Sequence, residues 1–126
     1  MAALLGGRAR EVIFSGRFLF FGTQHTLFEV QKYLPELAKK LNLHEIDLFR
    51  QFELLPIIAC QPASYEHQLG RAKQMIEKRD PKDVDVLALA LATDFPLWTE
   101  DRDFNAISAI TVRRTSALLD AIRPAP

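Results

Sequence analysis

The stretch that decides the fold runs from Arg79 to Phe104 and reads RDPKDVDVLALALATDFPLWTEDRDF. Asp80-Pro81 is a helix-start signal, since Asp caps the first turn and Pro takes the first helical position without losing a needed N–H. The apolar run Val84 to Ala92 follows. Its Val-Asp-Val and Leu-Ala alternation also fits a strand. Ala and Leu are strong helix formers and the start signal precedes them, so a helix is predicted. A helix apolar all round must be buried on more than one side. Pro96 to Thr99 then reads as a short strand, and Glu100 to Asp103 as the acidic loop behind it.

Working outward, Ala2 to Phe14 reads as a first helix that Ser15-Gly16 ends, and Phe18 to Phe21 as a short aromatic strand. His25 to Leu41 is the clearest amphipathic helix, with Leu27, Val30, Leu34, Leu37 and Leu41 at helical spacing and Thr23 or Thr26 to cap it. Pro35 predicts a kink or break near Leu34. Glu45 to Leu54 is a second such helix, its inner side at Ile46, Phe49 and Phe52 or Glu53. Pro56 to Gln61 reads as a buried strand, Tyr65 to Ile76 as a helix and Ile110 to Arg113 as a last strand. Thr115 or Ser116 caps a terminal helix through Ile122. Strands separated by helices imply a parallel α/β sheet in one domain over residues 1–126.

Composition narrows the function. Sixteen basic residues balance sixteen acidic ones, which argues against a histone-like nucleic-acid binder. An RNA-cleaving enzyme stays open, because bound metal offsets phosphate charge. A single cysteine, Cys60, rules out an intrachain disulfide and points to a reducing, cytoplasmic setting. No apolar stretch approaches the ~20 residues that span a bilayer, so no membrane partner is expected.

Loops after the carboxyl ends of parallel strands gather at one edge of the sheet. Asp101 and Asp103 belong at that edge, and a helix running antiparallel into their strand brings Asp83 there too. Glu29, read as lying in the first turn of the helix after the Phe18–Phe21 strand, joins them. Clustered carboxylates repel unless a cation sits among them, and oxygen-only ligands suit Mg²⁺ or Mn²⁺. Such ions lower the pKa of bound water and clamp an in-line phosphoryl displacement. Each residue also has a plainer reading. Asp80 is an N-cap; Asp83 and Glu29 complement helix dipoles; Asp85 is a solvated neighbour; Asp101 and Asp103 are turn acids. Thr99 is either a strand residue or a hydrogen-bond partner of the acids. His25, His44 and His67 lack ligand spacing, Trp98 reads as core, and Arg113 and Arg114 read as a solvated face rather than phosphate ligands.

Asp80-Pro-Lys-Asp83, the Ala/Leu helix and Pro96-Leu-Trp-Thr99-Glu-Asp101-Arg-Asp103-Phe104 resemble the second half of a PIN domain. Ser15-Gly-Arg-Phe18 through Tyr33-Leu-Pro-Glu-Leu37 resembles the first half, and the likeness runs from about Ala2 to Ile122. The resemblance implies a three-layer α/β/α sandwich with a parallel sheet and an acidic pocket for Mg²⁺ or Mn²⁺. It implies a ribonuclease acting on single-stranded RNA, often the toxin of a toxin–antitoxin pair, with an antitoxin protein and a homodimer as expected partners. Glu29, Asp83 and Asp101 match three of the family's acids. Asp103 matches an auxiliary acid, and Thr99 a hydroxyl in the pocket wall.

One departure stands out. The family pattern opens with an apolar strand ending in Asp, which lies mid-sheet, whereas this sequence starts at Met1-Ala-Ala-Leu-Leu, inside the expected first helix. The expectation is a sheet lacking its usual first strand, with two strand pairs deprived of the neighbour between them. A late gene start, a degenerate inactive copy and a strand supplied by a partner chain all fit. The competing functional reading is a non-catalytic PIN-derived module that binds RNA or an antitoxin-like protein. A third is an unrelated α/β domain whose acids only cap and turn.

Overall fold

A computed structural model describes residues 7–123. In chain order the elements are α1 (Gly7–Ile13), β1 (Phe20–Thr23), α2 (Gln24–Lys40), α3 (Glu45–Glu53), β2 (Ile57–Cys60), α4 (Leu69–Ile76), α5 (Val84–Thr93), β3 (Leu97–Trp98), β4 (Val112–Arg113) and α6 (Thr115–Ile122). The predicted start of the first helix, residues 2–6, lies outside the described residues.

The Arg79–Phe104 reading sets the centre of the molecule. Asp80 caps the chain through its carboxylate, which accepts the Lys82 backbone N–H at 3.0 Å. One 3₁₀ turn, Pro81–Asp83, then feeds α5. In α5, Val84, Leu87, Ala88, Leu89 and Ala90 are all buried, the signature of a helix covered on several sides. The helix ends where Asp94 takes a left-handed conformation, with its N–H bonded to the Ala90 carbonyl at 2.9 Å. Such a residue satisfies an otherwise orphaned carbonyl.

Other boundaries moved. The first strand is Phe20–Thr23, not Phe18–Phe21. Its last residue, Thr23, is fully buried and caps α2 by accepting the Thr26 N–H at 2.9 Å. Pro35 does not break α2, which continues through it to Lys40. Buried Leu34 and Ala38 on the inner face hold the helix together across the missing hydrogen bond. On α3 the buried residue is Leu48, and Ile46, expected inside, is exposed. The expected Tyr65–Ile76 helix is a 3₁₀ turn, Glu66–Gln68, followed by α4. At α6 neither Thr115 nor Ser116 caps. The Glu100 carboxylate accepts the Thr115 N–H at 2.6 Å, and hydrogen bonding from the Thr115 side chain and then its backbone holds the acid below the usual range.

The strands are parallel. Phe20 to Thr23 of β1 register with Ile57 to Cys60 of β2, and Leu97 and Trp98 of β3 with Val112 and Arg113 of β4. Among the described residues these form two separate ladders with no backbone hydrogen bond between them. Side chains bridge the two instead. Phe20 meets Trp98 at 5.3 Å between ring centroids, and Phe21 meets Phe95 at 5.3 Å. Phe20, Ile57 and Trp98 pack on a core of Ile13, Leu34, Ala38, Leu48 and Leu55. A second core gathers Tyr65, Ala72, Ile76, Leu87, Ala88 and Phe104. The expectation that β2 is a buried strand fails at Ile58, which is 47% exposed beside its register partner Phe21 at 38%.

Candidate metal centre

Four aspartates from two segments meet where α5 begins and β3 ends. Carboxylate oxygens of Asp80, Asp101 and Asp103 lie within 4.8 Å of one another, all three residues half-buried. Asp83 joins the group. Its carboxyl is pushed up to about 7, first by burial, then by hydrogen bonding and charge from Asp80, then by the charge of Asp101 and a hydrogen bond with it. Burial disfavours the charged form, and neighbouring carboxylates with no cation between them add to the same effect.

Local structure fixes the cluster. Thr99, just after β3, accepts the Asp101 N–H on its hydroxyl at 3.0 Å. Asp101 in turn accepts the Asp103 N–H at 2.9 Å, capping the 3₁₀ turn Arg102–Ala106. Phe104, buried in the second core, anchors that turn from below. Arg114 ties the loop to β4, its guanidinium donating to the carbonyls of Thr99 at 2.8 Å and Asp101 at 3.3 Å and to the Asn105 side chain. Arg114 is thereby a structural clasp and not part of a solvated face. These bonds use backbone groups and leave most carboxylate lone pairs free. The donor set is oxygen only, which fits a hard divalent cation such as Mg²⁺ or Mn²⁺.

Of the residues singled out by sequence, Asp83, Asp101 and Asp103 come together, with Thr99 as their support. Glu29 does not join them. Because α2 starts at Gln24, Glu29 is in the second turn rather than the first, on the outer face, paired with Lys32 at 3.6 Å. Asp80 was read only as an N-cap; it caps and also belongs to the acid trio. The signal was there in the spacing, since a residue three before Asp83 across a 3₁₀ turn returns to the same side. Asp85 is not simply solvated. It is half-buried and faces the Tyr65 hydroxyl, which donates to it at 3.5 Å, while burial and then the Asp85 charge push the Tyr65 phenol up. His25 and His67 are exposed, and His44 precedes α3 without a side-chain capping bond. Trp98 is core, as expected, with its indole N–H donating to the Thr115 hydroxyl at 3.0 Å.

The acids are uncompensated by protein cations. Among the described residues the ion pairs within 4.0 Å are Lys32–Glu29 and Arg123–Glu11, and neither touches the cluster. The family model described as PIN domain matches residues 1–120 of the chain. No curated protein and no solved structure matches it.

Proposed function

The chain belongs to the PIN domain family, and on that premise we propose that it is a metal-dependent nuclease hydrolysing phosphodiester bonds of RNA. The observation that carries the reading is the convergence of Asp80, Asp83, Asp101 and Asp103 without a neutralising Lys or Arg. Asp80, Asp101 and Asp103 would hold Mg²⁺ or Mn²⁺, with Asp83 beside them completing the acid set once ionised. A bound divalent ion supplies an acidified water and charge neutralisation for the phosphoryl group. The protein's own part is to hold the carboxylates at a fixed spacing, through the Thr99 and Asp101 bonds. Glu29 is left outside this assignment, on its ion pair with Lys32.

The three-layer sandwich and a single domain over the whole chain belong to the same reading. The two ladders, not joined by backbone hydrogen bonds among the described residues, support a sheet with an opening for a further strand. That opening and the outward Glu29 also favour a second reading, a PIN-derived module that binds RNA or an antitoxin-like protein without cutting.

Cleavage of single-stranded RNA with Mn²⁺, with Asp101→Asn as control, separates the two. The nuclease reading expects Mn²⁺-dependent cutting, reduced at least a hundredfold in the variant. RNA binding with no cutting in either protein would leave the module reading.

A further inference from the structure

Every acid of the cluster has an exposed cation beside it in the chain. Arg79 precedes Asp80, Lys82 lies between Asp80 and Asp83, and Arg102 lies between Asp101 and Asp103; all three are exposed. Side chains one or two residues apart on a helical turn do not face each other, so these cations need not pair with their neighbours. Among the described residues no Lys or Arg lies within 4.0 Å of these carboxylates. The reason is visible in the local bonds. The carboxylates of Asp80 and Asp101 turn back to cap their own turns, accepting the N–H groups of Lys82 and Asp103 at 3.0 and 2.9 Å. Arg79 instead reaches across to the other acid-bearing segment, where its guanidinium donates to the Asp103 carbonyl at 3.5 Å. It sits at the cluster without pairing with its carboxylates, and the residue is exposed. The nearest other acids in the chain, Glu77 and Glu100, form no ion pair with these cations either.

Separated charge of this kind suits a ligand that needs both signs at once. A divalent ion takes the acids, and a polyanion passing over them takes the cations. With no net positive charge on the chain, attraction of phosphate rests on local features such as these cations and a bound metal. We propose that Arg79, Lys82 and Arg102 form a cationic rim that holds the phosphates flanking the scissile one in a single RNA strand. The inference rests on the nuclease reading for its substrate, and it names positioning residues rather than catalytic ones. Arg79 and Arg102 offer planar donor forks to phosphate oxygens, and Lys82 a point charge.

The test is a binding measurement in which cutting plays no part. Fluorescein-labelled oligouridine is titrated with the whole chain in EDTA at several salt concentrations. Each phosphate contact on a single strand contributes about 0.7 to the slope of log affinity against log salt. The triple variant Arg79→Ala, Lys82→Ala, Arg102→Ala is expected to bind at least tenfold more weakly at low salt, with a slope shallower by about 2. Lys39→Ala, an exposed lysine in the last turn of α2 and not on either acid-bearing segment, is expected to leave both unchanged. Mn²⁺ titration of the triple variant checks that the acid cluster is intact. Equal affinity and slope in the wild type and the triple variant would overturn the rim, as would weakening of equal size in Lys39→Ala. Rim-dependent binding in EDTA without cutting in Mn²⁺ would instead sink the nuclease reading and leave the rim standing.

Discussion

A carboxyl held up to about 7 makes Asp83 a reporter on its own surroundings. In the unfolded chain an aspartate titrates near 3.8, so the folded, metal-free protein holds one more proton between that value and 7. Stability then falls as pH rises through this window and levels off above it, because the unfolded state binds fewer protons. Asp83→Asn removes that slope. Since the group is partly exposed and screened, the variant should gain only about 1–2 kcal/mol at pH 8 and nothing at pH 4, read from urea melts at the two pH values. A variant no more stable than wild type at pH 8 would show that the fold does not hold the Asp83 carboxyl above its ordinary range. Metal reverses the sign, so Mn²⁺ affinity should climb with pH up to about 7 and then flatten. Glu29→Gln should leave both Mn²⁺ affinity and cutting within about twofold, since losing an exposed pair costs little. The nearness of Asp83, Asp101 and Asp103 was legible because each flanks a strong local signal, a helix start or a strand end. Glu29 reads from sequence as a first-turn residue of its helix, whereas it is the sixth residue of α2, in the second turn, exposed and paired with Lys32.

Element by element, what was legible followed from dense local signals. The Asp80-Pro81 start and the Ala/Leu run decided α5 correctly against the strand alternative. Short strands were less legible. β3 and β4 are two residues each, too short for alternation to speak, and the limits of β1 depend on its pairing with β2. Pro35 shows the opposite failure, a strong local signal overruled by packing. The ring removes an N–H, yet Leu34 and Ala38 are buried on either side and hold the helix in place. Proline inside a helix costs about 3 kcal/mol, so Pro35→Ala should stabilise the protein by about 1–3 kcal/mol in thermal or urea unfolding. A loss of stability would mean that α2 needs a local distortion there. On α5, Leu87→Ala removes a fully buried side chain from the second core and should cost about 2–5 kcal/mol. A smaller cost would mean that the core collapses around the site.

For the molecule as a whole, the acid cluster joins parts that the backbone ladders do not. Asp80 and Asp83 enter from the start of α5, and Asp101 and Asp103 from the loop after β3, so an ion bound to them links two segments of one core. Among the described residues the two ladders share no backbone hydrogen bond and meet through side chains such as Phe20–Trp98, with Phe21–Phe95 beside them. A ligand that binds only the folded state stabilises it by mass action, about 2.7 kcal/mol at a hundredfold excess over Kd. For a chain of this size that is a rise of roughly 8–12 °C in Tm. Mn²⁺ at pH 8 should produce such a rise, EDTA should reverse it, and Asp80→Asn and Asp101→Asn should each remove most of it. Glu29→Gln should keep it whole, which separates a built centre from general screening of surface acids. Potassium at matched ionic strength should do nothing. If millimolar Mn²⁺ leaves Tm where EDTA leaves it, the four aspartates are caps and turn acids drawn together by chain geometry, and the cluster has no ion to hold.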